Sequence, residues 1–114
     1  MRIACVYISH FSVAVERQRD PSLRARPVVI GETPDQRKAV FDCSPEAAAQ
    51  GVRIAMPIKQ ALALCLEAVF LPPHPTLYRE AFESILTTLE TFSPEVEEGD
   101  LGRAYLNAEG LALH

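Results

Sequence analysis

The sequence predicts an α/β (α+β) fold, a small mixed β-sheet covered by helices, and three observations lead there. The chain opens on an uninterrupted apolar run, Ile3 to Ile8, of strand-forming type. Short β-branched runs then alternate with segments whose apolar residues recur at helical spacing. Proline, glycine and capping residues fall between them, as they do where elements end.

Residues 3–8 carry Ile, Val and Tyr with no polar alternation, which predicts a strand buried on both faces at the centre of a sheet. Residues 11–19 place Phe11, Val15 and Gln18 on one side of a helix and Glu16, Arg17 and Arg19 on the other, and Asp20-Pro21 ends it. Residues 27–31 read as a second strand, 32–37 as a hairpin loop and 38–42 as a third strand. Ser44-Pro45-Glu46 puts a capping hydroxyl before a proline at the first helical position, and Gly51 stops that Ala-rich helix. After Met56-Pro57 the spacing of Ile58, Ala61, Leu62, Cys65 and Leu66 predicts another helix, followed by a strand over 68–71. The longest helix follows Pro75, with Tyr78, Phe82, Ile85, Leu89 and Phe92 as its core stripe until Ser93-Pro94. Residues 95–100 and 101–107 complete the pattern as strands.

With 114 residues, 48% of them hydrophobic and 23% charged, the chain can bury a core without staples, which excludes disordered and disulfide-framework classes. Cys5, Cys43 and Cys65 are odd in number and form no C-x-x-C pair, so a reducing, cytoplasmic setting is expected. No apolar run is long enough for a membrane span. The net charge of −4 is uneven: residues 1–40 hold seven Lys/Arg against four Asp/Glu, and residues 41–114 hold four against eleven.

Several segments, in order, resemble the N-terminal palm and fingers region of Y-family (DinB/UmuC-like) translesion DNA polymerases. Asp20-Pro21-Ser22-Leu23-Arg24 with Arg26-Pro27-Val28-Val29 is similar to one family stretch. Glu46-Ala47, Gly51-Val52-Arg53 and Ala55-Met56-Pro57 are similar to the next. Ala61-Leu62, Leu71-Pro72-Pro73, Tyr78-Arg79, Ser93-Pro94 with Val96-Glu97, and Ala104-Tyr105-Leu106-Asn107 continue the match across about residues 2–109. The resemblance implies one palm/fingers-like domain over residues 1–114, without the thumb and little-finger regions.

In that family two Mg²⁺ ions drive phosphoryl transfer and carboxylates hold them. The resemblance aligns the first metal-binding aspartate with Tyr7, and the later Asp-Glu pair with Gly102 and Arg103. No catalytic or metal site is then intact, and a guanidinium in that pocket repels a divalent cation by several kcal/mol at an effective dielectric of about 20. The nucleotide-binding positions fall on Ser12, Pro45 and Ala48, also without their family side chains. The implied protein is a pseudo-polymerase, similar to accessory subunits of damage-response mutagenesis. No cofactor is expected, and Mg²⁺ only if ligands have been relocated. DNA, held weakly through Arg53 and Lys59, and other DNA-repair proteins are the expected partners, with self-association through an unpaired sheet edge.

Other groups read more plainly. Glu95, Glu97, Glu98 and Asp100 form a solvated face rather than a relocated metal site, and His10 with Cys5 lacks the third group of a nucleophilic site. Cys43 and Cys65 are core residues, and the Arg17 to Lys38 basic concentration is a solvated face. Two alternatives stay open: an active translesion polymerase (nucleotidyltransferase) with relocated ligands, and a small α/β interaction or ligand-sensing module outside DNA metabolism. A fold with Tyr7 beside Gly102 and Arg103 on neighbouring strands is required by the resemblance.

Overall fold

A computed structural model describes residues 2–31 and 39–107. The chain divides into two units, Met1–Phe11 with Pro75–His114, and Ser12–His74.

In the first unit β1 (Ile3–Tyr7) pairs antiparallel with β6 (Arg103–Asn107), and β6 with β5 (Val96–Glu98), giving the order β1-β6-β5. The helix α4 (Pro75–Glu90) packs against β5. Its Arg79 Nη2 donates to Glu98 Oε2 at 2.7 Å, and Glu98 stands opposite Ala104 in the register. That side of the sheet, with Ala104 and Leu106, is therefore the covered one, as their burial confirms. Tyr78 and Phe82 of α4 are buried, and Phe82 meets Phe11 edge-to-face with ring centroids 5.8 Å apart.

In the second unit β2 (Val28–Ile30) lies between β3 (Asp42–Cys43), antiparallel to it, and β4 (Val69–Leu71), parallel to it. All three residues of β2 are fully buried. Val29, Val40, Cys43, Ala47, Val52, Ile58, Ala61 and Cys65 form the core between this sheet and the helices α2 (Pro45–Ala49) and α3 (Ile58–Leu64). Ser44 caps α2 as its motif requires: its buried Oγ accepts from Ala47 N at 3.2 Å and from Val28 N at 2.9 Å. Helix α1 (Phe11–Arg19) begins at the last residue of the first unit and runs through the start of the second.

Several expectations are corrected. The described strands form not one sheet but two, of three strands each, the second of them mixed. Among the described residues β1 lies at the edge of its sheet rather than at its centre, and its residues alternate between exposed and half-buried because α4 covers only one face. The third strand is Asp42–Cys43; Ala39 makes only an isolated bridge to Pro57, and the expected loop at 32–37, with Lys38, lies outside the described residues. Leu66 and Phe92 fall beyond the ends of α3 and α4 and are exposed. Glu16, expected on the solvent side of α1, is buried: its Oε2 lies 2.5 Å from His74 Nδ1 and its Oε1 3.6 Å from Arg19 Nη1. A 3₁₀ turn, Pro21–Ala25, capped by Asp20, links α1 to β2.

Candidate functional site

Strand alternation sorts the first sheet into two faces, since residues paired across an antiparallel ladder share a side. Opposite the α4 side stand Ile3, Cys5 and Tyr7 of β1, Arg103, Tyr105 and Asn107 of β6, and Glu97 of β5. Ile3 and Tyr7 are 60% and 59% exposed, so this face is open. The register pairs Tyr7 with Arg103 and Cys5 with Tyr105.

On that face the Arg103 guanidinium carbon lies 4.7 Å from the centre of the Tyr7 ring. Interaction with the Tyr105 side chain holds the guanidinium above even its ordinary pKa. Two phenol rings and one fixed cation thus share the centre of the face. A cavity of about 580 Å³ opens beside Tyr105, lined also by Ile3, Glu95, Glu97 and Asn107.

The turn preceding β6 brings Gly102 to the same end of β1: Ile8 N donates to the Gly102 carbonyl at 2.8 Å. Gly102 has φ +83°, and a Cβ there would lie 2.8 Å from Phe11 Cβ and 2.9 Å from the Ile8 carbonyl oxygen. The backbone leaves no room for a side chain at this position. Tyr7, Gly102 and Arg103, which the sequence placed together, are neighbours.

Ser12, Pro45 and Ala48 belong to the second unit, as do Arg53 and Lys59. Ser12 is buried, Pro45 is the first residue of α2, and Ala48 is half-buried against the core. Arg53 is exposed, but its Nη1 donates to the carbonyls of Ala48 and Val52, both at 2.8 Å, so part of its donor set closes the end of α2. Lys59 is exposed on α3. The acidic run is split between faces: Glu98 faces α4, Glu97 the open side, and Glu95 accepts from Asn107 Nδ2 at 2.8 Å. Cys5 is exposed, Cys43 and Cys65 are buried, and burial raises both of those thiol pKa values. Among the described residues, no group of three or more His, Cys, Asp and Glu side chains comes together as a metal site would. No described helix is long and apolar enough to cross a membrane. Tyr105 entered the sequence reading only as part of a motif; the period of two along β6, which puts 103, 105 and 107 on one face, is the signal that singles it out.

A family model described as impB/mucB/samB matches residues 6–114. The chain belongs to that family. Among similar curated proteins, a DNA polymerase IV of Dehalococcoides mccartyi is 38% identical over 99% of the chain, and one of Alkalilimnicola ehrlichii is 39% identical over 93%. The chain spans only 29% and 30% of those two proteins. Among solved structures, DinB from Sulfolobus solfataricus superposes with a TM-score of 0.87 at 25% identity, covering 94% of this chain and 31% of that one. A post-insertion binary complex of Dbh DNA polymerase superposes at 0.88 with 24% identity, covering 96% and 32%. The Y-family resemblance and the α/β class both hold: the impB/mucB/samB chain has the fold of the N-terminal part of these polymerases.

Proposed function

We propose that this chain is a non-catalytic Y-family-like module of DNA repair or damage tolerance, acting in the cytoplasm through DNA and other repair proteins. The observation that carries the reading is the Arg103 guanidinium held over Tyr7 beside a Gly102 with no space for a side chain. Mg²⁺ requires hard oxygen donors, usually one or two carboxylates. A phenol, a glycine and a guanidinium, at the positions the family resemblance assigns to carboxylates, do not fit that ion. The positive charge of Arg103 disfavours a cation there, and no step of phosphoryl transfer is assigned to these residues. The scaffold words around the site are kept, which supports a role for the fold itself: a surface for partners, with Arg53 and Lys59 as further weak contacts to DNA.

The test is direct. In an NMR titration of the full chain with Mn²⁺, the Tyr7, Gly102 and Arg103 amide signals should broaden no earlier than those of exposed carboxylates such as Glu80. Primer-template DNA with Mg²⁺ and nucleotides should remain unextended. Early, selective broadening at Gly102 and Arg103, or metal-dependent extension, would overturn the reading in favour of an active polymerase with relocated ligands.

A further inference from the structure

We propose that the open face of the first sheet is a stacking surface for single-stranded nucleic acid, with Tyr7 and Tyr105 taking base faces and Arg103 a phosphate. This rests on the preceding reading that the chain works on DNA without catalysis, and it names the form of DNA and the residues that meet it.

Three features of the face point to this ligand. The two phenol rings come from adjacent strands at diagonal positions of the register, Tyr7 opposite Arg103 and Tyr105 opposite Cys5. Diagonal neighbours across an antiparallel pair lie roughly 7–8 Å apart. That suits successive bases of an extended strand and not the stacked, paired bases of a duplex, whose faces are hidden. Arg103 lies beside both, stacked on the Tyr7 ring, so its guanidinium plane is oriented before any ligand arrives. A guanidinium already lying on a ring is what a phosphate or an unpaired base meets on sheet-type single-strand surfaces. The third feature is room: the cavity of about 580 Å³ beside Tyr105 can admit a base, and its apolar wall includes the 60%-exposed Ile3.

Charge makes the orientation specific. Glu97 stands opposite Tyr105 on the same face and lines the cavity together with Glu95, so phosphates are repelled from the β5 side and the backbone follows β1 and β6 while only an uncharged base reaches into the cavity. Among the described residues of β1 no side chain is charged, so nothing on that strand repels a phosphate. Binding is therefore modest, salt-dependent and improved by neutralising Glu97.

The experiment uses fluorescence anisotropy of the full chain with fluorescein-labelled dT12 and the same label on a 12-base-pair duplex, at low and moderate salt. The single strand should bind tighter than the duplex. Tyr7→Leu, which keeps apolar bulk and loses the ring, should weaken dT12 binding roughly tenfold, and Tyr7→Phe should leave it within about twofold. Arg103→Gln should weaken binding and lower the salt slope by about one ion, while Glu97→Gln strengthens it. Unchanged far-ultraviolet circular dichroism and melting keep each variant interpretable. Equal affinity for both DNA forms, or a Tyr7→Leu protein that binds dT12 like its parent, overturns the proposal; so does loss of affinity in Tyr7→Phe equal to that in Tyr7→Leu. Metal-dependent primer extension would instead overturn the non-catalytic reading, and it is read in a separate assay.

Discussion

Gly102 and Phe11 stand so close that the glycine has no space for a side chain: a Cβ on residue 102 would sit 2.8 Å from Phe11 Cβ, inside any normal carbon contact. Phe11 cannot retreat, because its ring packs edge-to-face on the buried Phe82. Backbone shape, and not only side-chain identity, therefore keeps a carboxylate out of position 102.

Gly102→Asp is accordingly expected to destabilise the chain by about 2–4 kcal/mol, from left-handed backbone strain at φ +83° together with overpacking. Gly102→Ala should incur most of that loss, since the clash begins at Cβ. Tyr7→Asp, on an exposed edge position, should fold normally. Urea denaturation of the three variants checks this; a Gly102→Asp protein as stable as its parent would show that the turn relaxes easily and that the carboxylate could be regained.

Ser44 gives a second case in which one atom serves two elements. Its Oγ accepts from Ala47 N, the third residue of α2, and from Val28 N at the start of β2, and the residue is fully buried. Ser44→Ala leaves two N–H donors without an acceptor where water does not reach, and should cost about 2–3 kcal/mol, above an ordinary lost cap. Ser44→Thr, which keeps the oxygen, should recover part of it. Chemical denaturation at neutral pH measures both.

The contrast between Ser44 and Glu16 shows how much of the fold was legible. Caps and breakers act within a few residues, so Ser44-Pro45, Gly51 and Asp20-Pro21 marked real boundaries. Glu16 is buried by a partner 58 residues away, His74, and no local pattern carries that information. Strand β1 failed for a related reason: an apolar run looks the same whether one or both faces are covered, and only the placement of α4 decides. At the site, the identities of Tyr7, Gly102 and Arg103 came from motif alignment, and their adjacency follows from the β1–β6 register. The positive φ of Gly102 and the stacking of Arg103 on Tyr7 are properties of the folded chain alone.

Arg17 and Glu46 supply a prediction in pH. Arg17 Nη2 reaches both Glu46 oxygens, at 3.1 and 2.9 Å, and this hydrogen bond is the main reason the Glu46 carboxyl sits below its ordinary pKa. A carboxyl lowered in the folded state contributes stability that is complete above its unfolded value, about 4.3, and is lost as pH falls through the folded value. Glu46 is 44% exposed, so solvent screening keeps the contribution below about 1 kcal/mol. Glu46→Gln should thus be slightly less stable than the parent at pH 7, with the gap closing on the acid side of pH 4 or so. A gap that stays constant down to pH 3, or widens, would contradict the assignment.

The three thiols should react in a fixed order. Cys5 lies exposed on the open face, while Cys43 and Cys65 are fully or nearly fully buried, and burial lifts their pKa values, for Cys43 with the added charge of Asp42 and for Cys65 with that of Glu67. The thiolate is the reactive form, so both access and ionisation disfavour the buried pair. Iodoacetamide at pH 7.5 should label Cys5 alone in the folded chain, and all three in urea. Because β1 lies at the sheet edge among the described residues and carries no charge or proline, two copies can pair along it antiparallel with Cys5 opposite Cys5. Mild oxidation at high protein concentration should therefore give a dimer that Cys5→Ser abolishes and Cys65→Ser does not. Labelling of Cys43 as fast as Cys5 would show that the second core opens far more readily than its packing implies, and a strictly monomeric oxidised chain would remove the edge pairing.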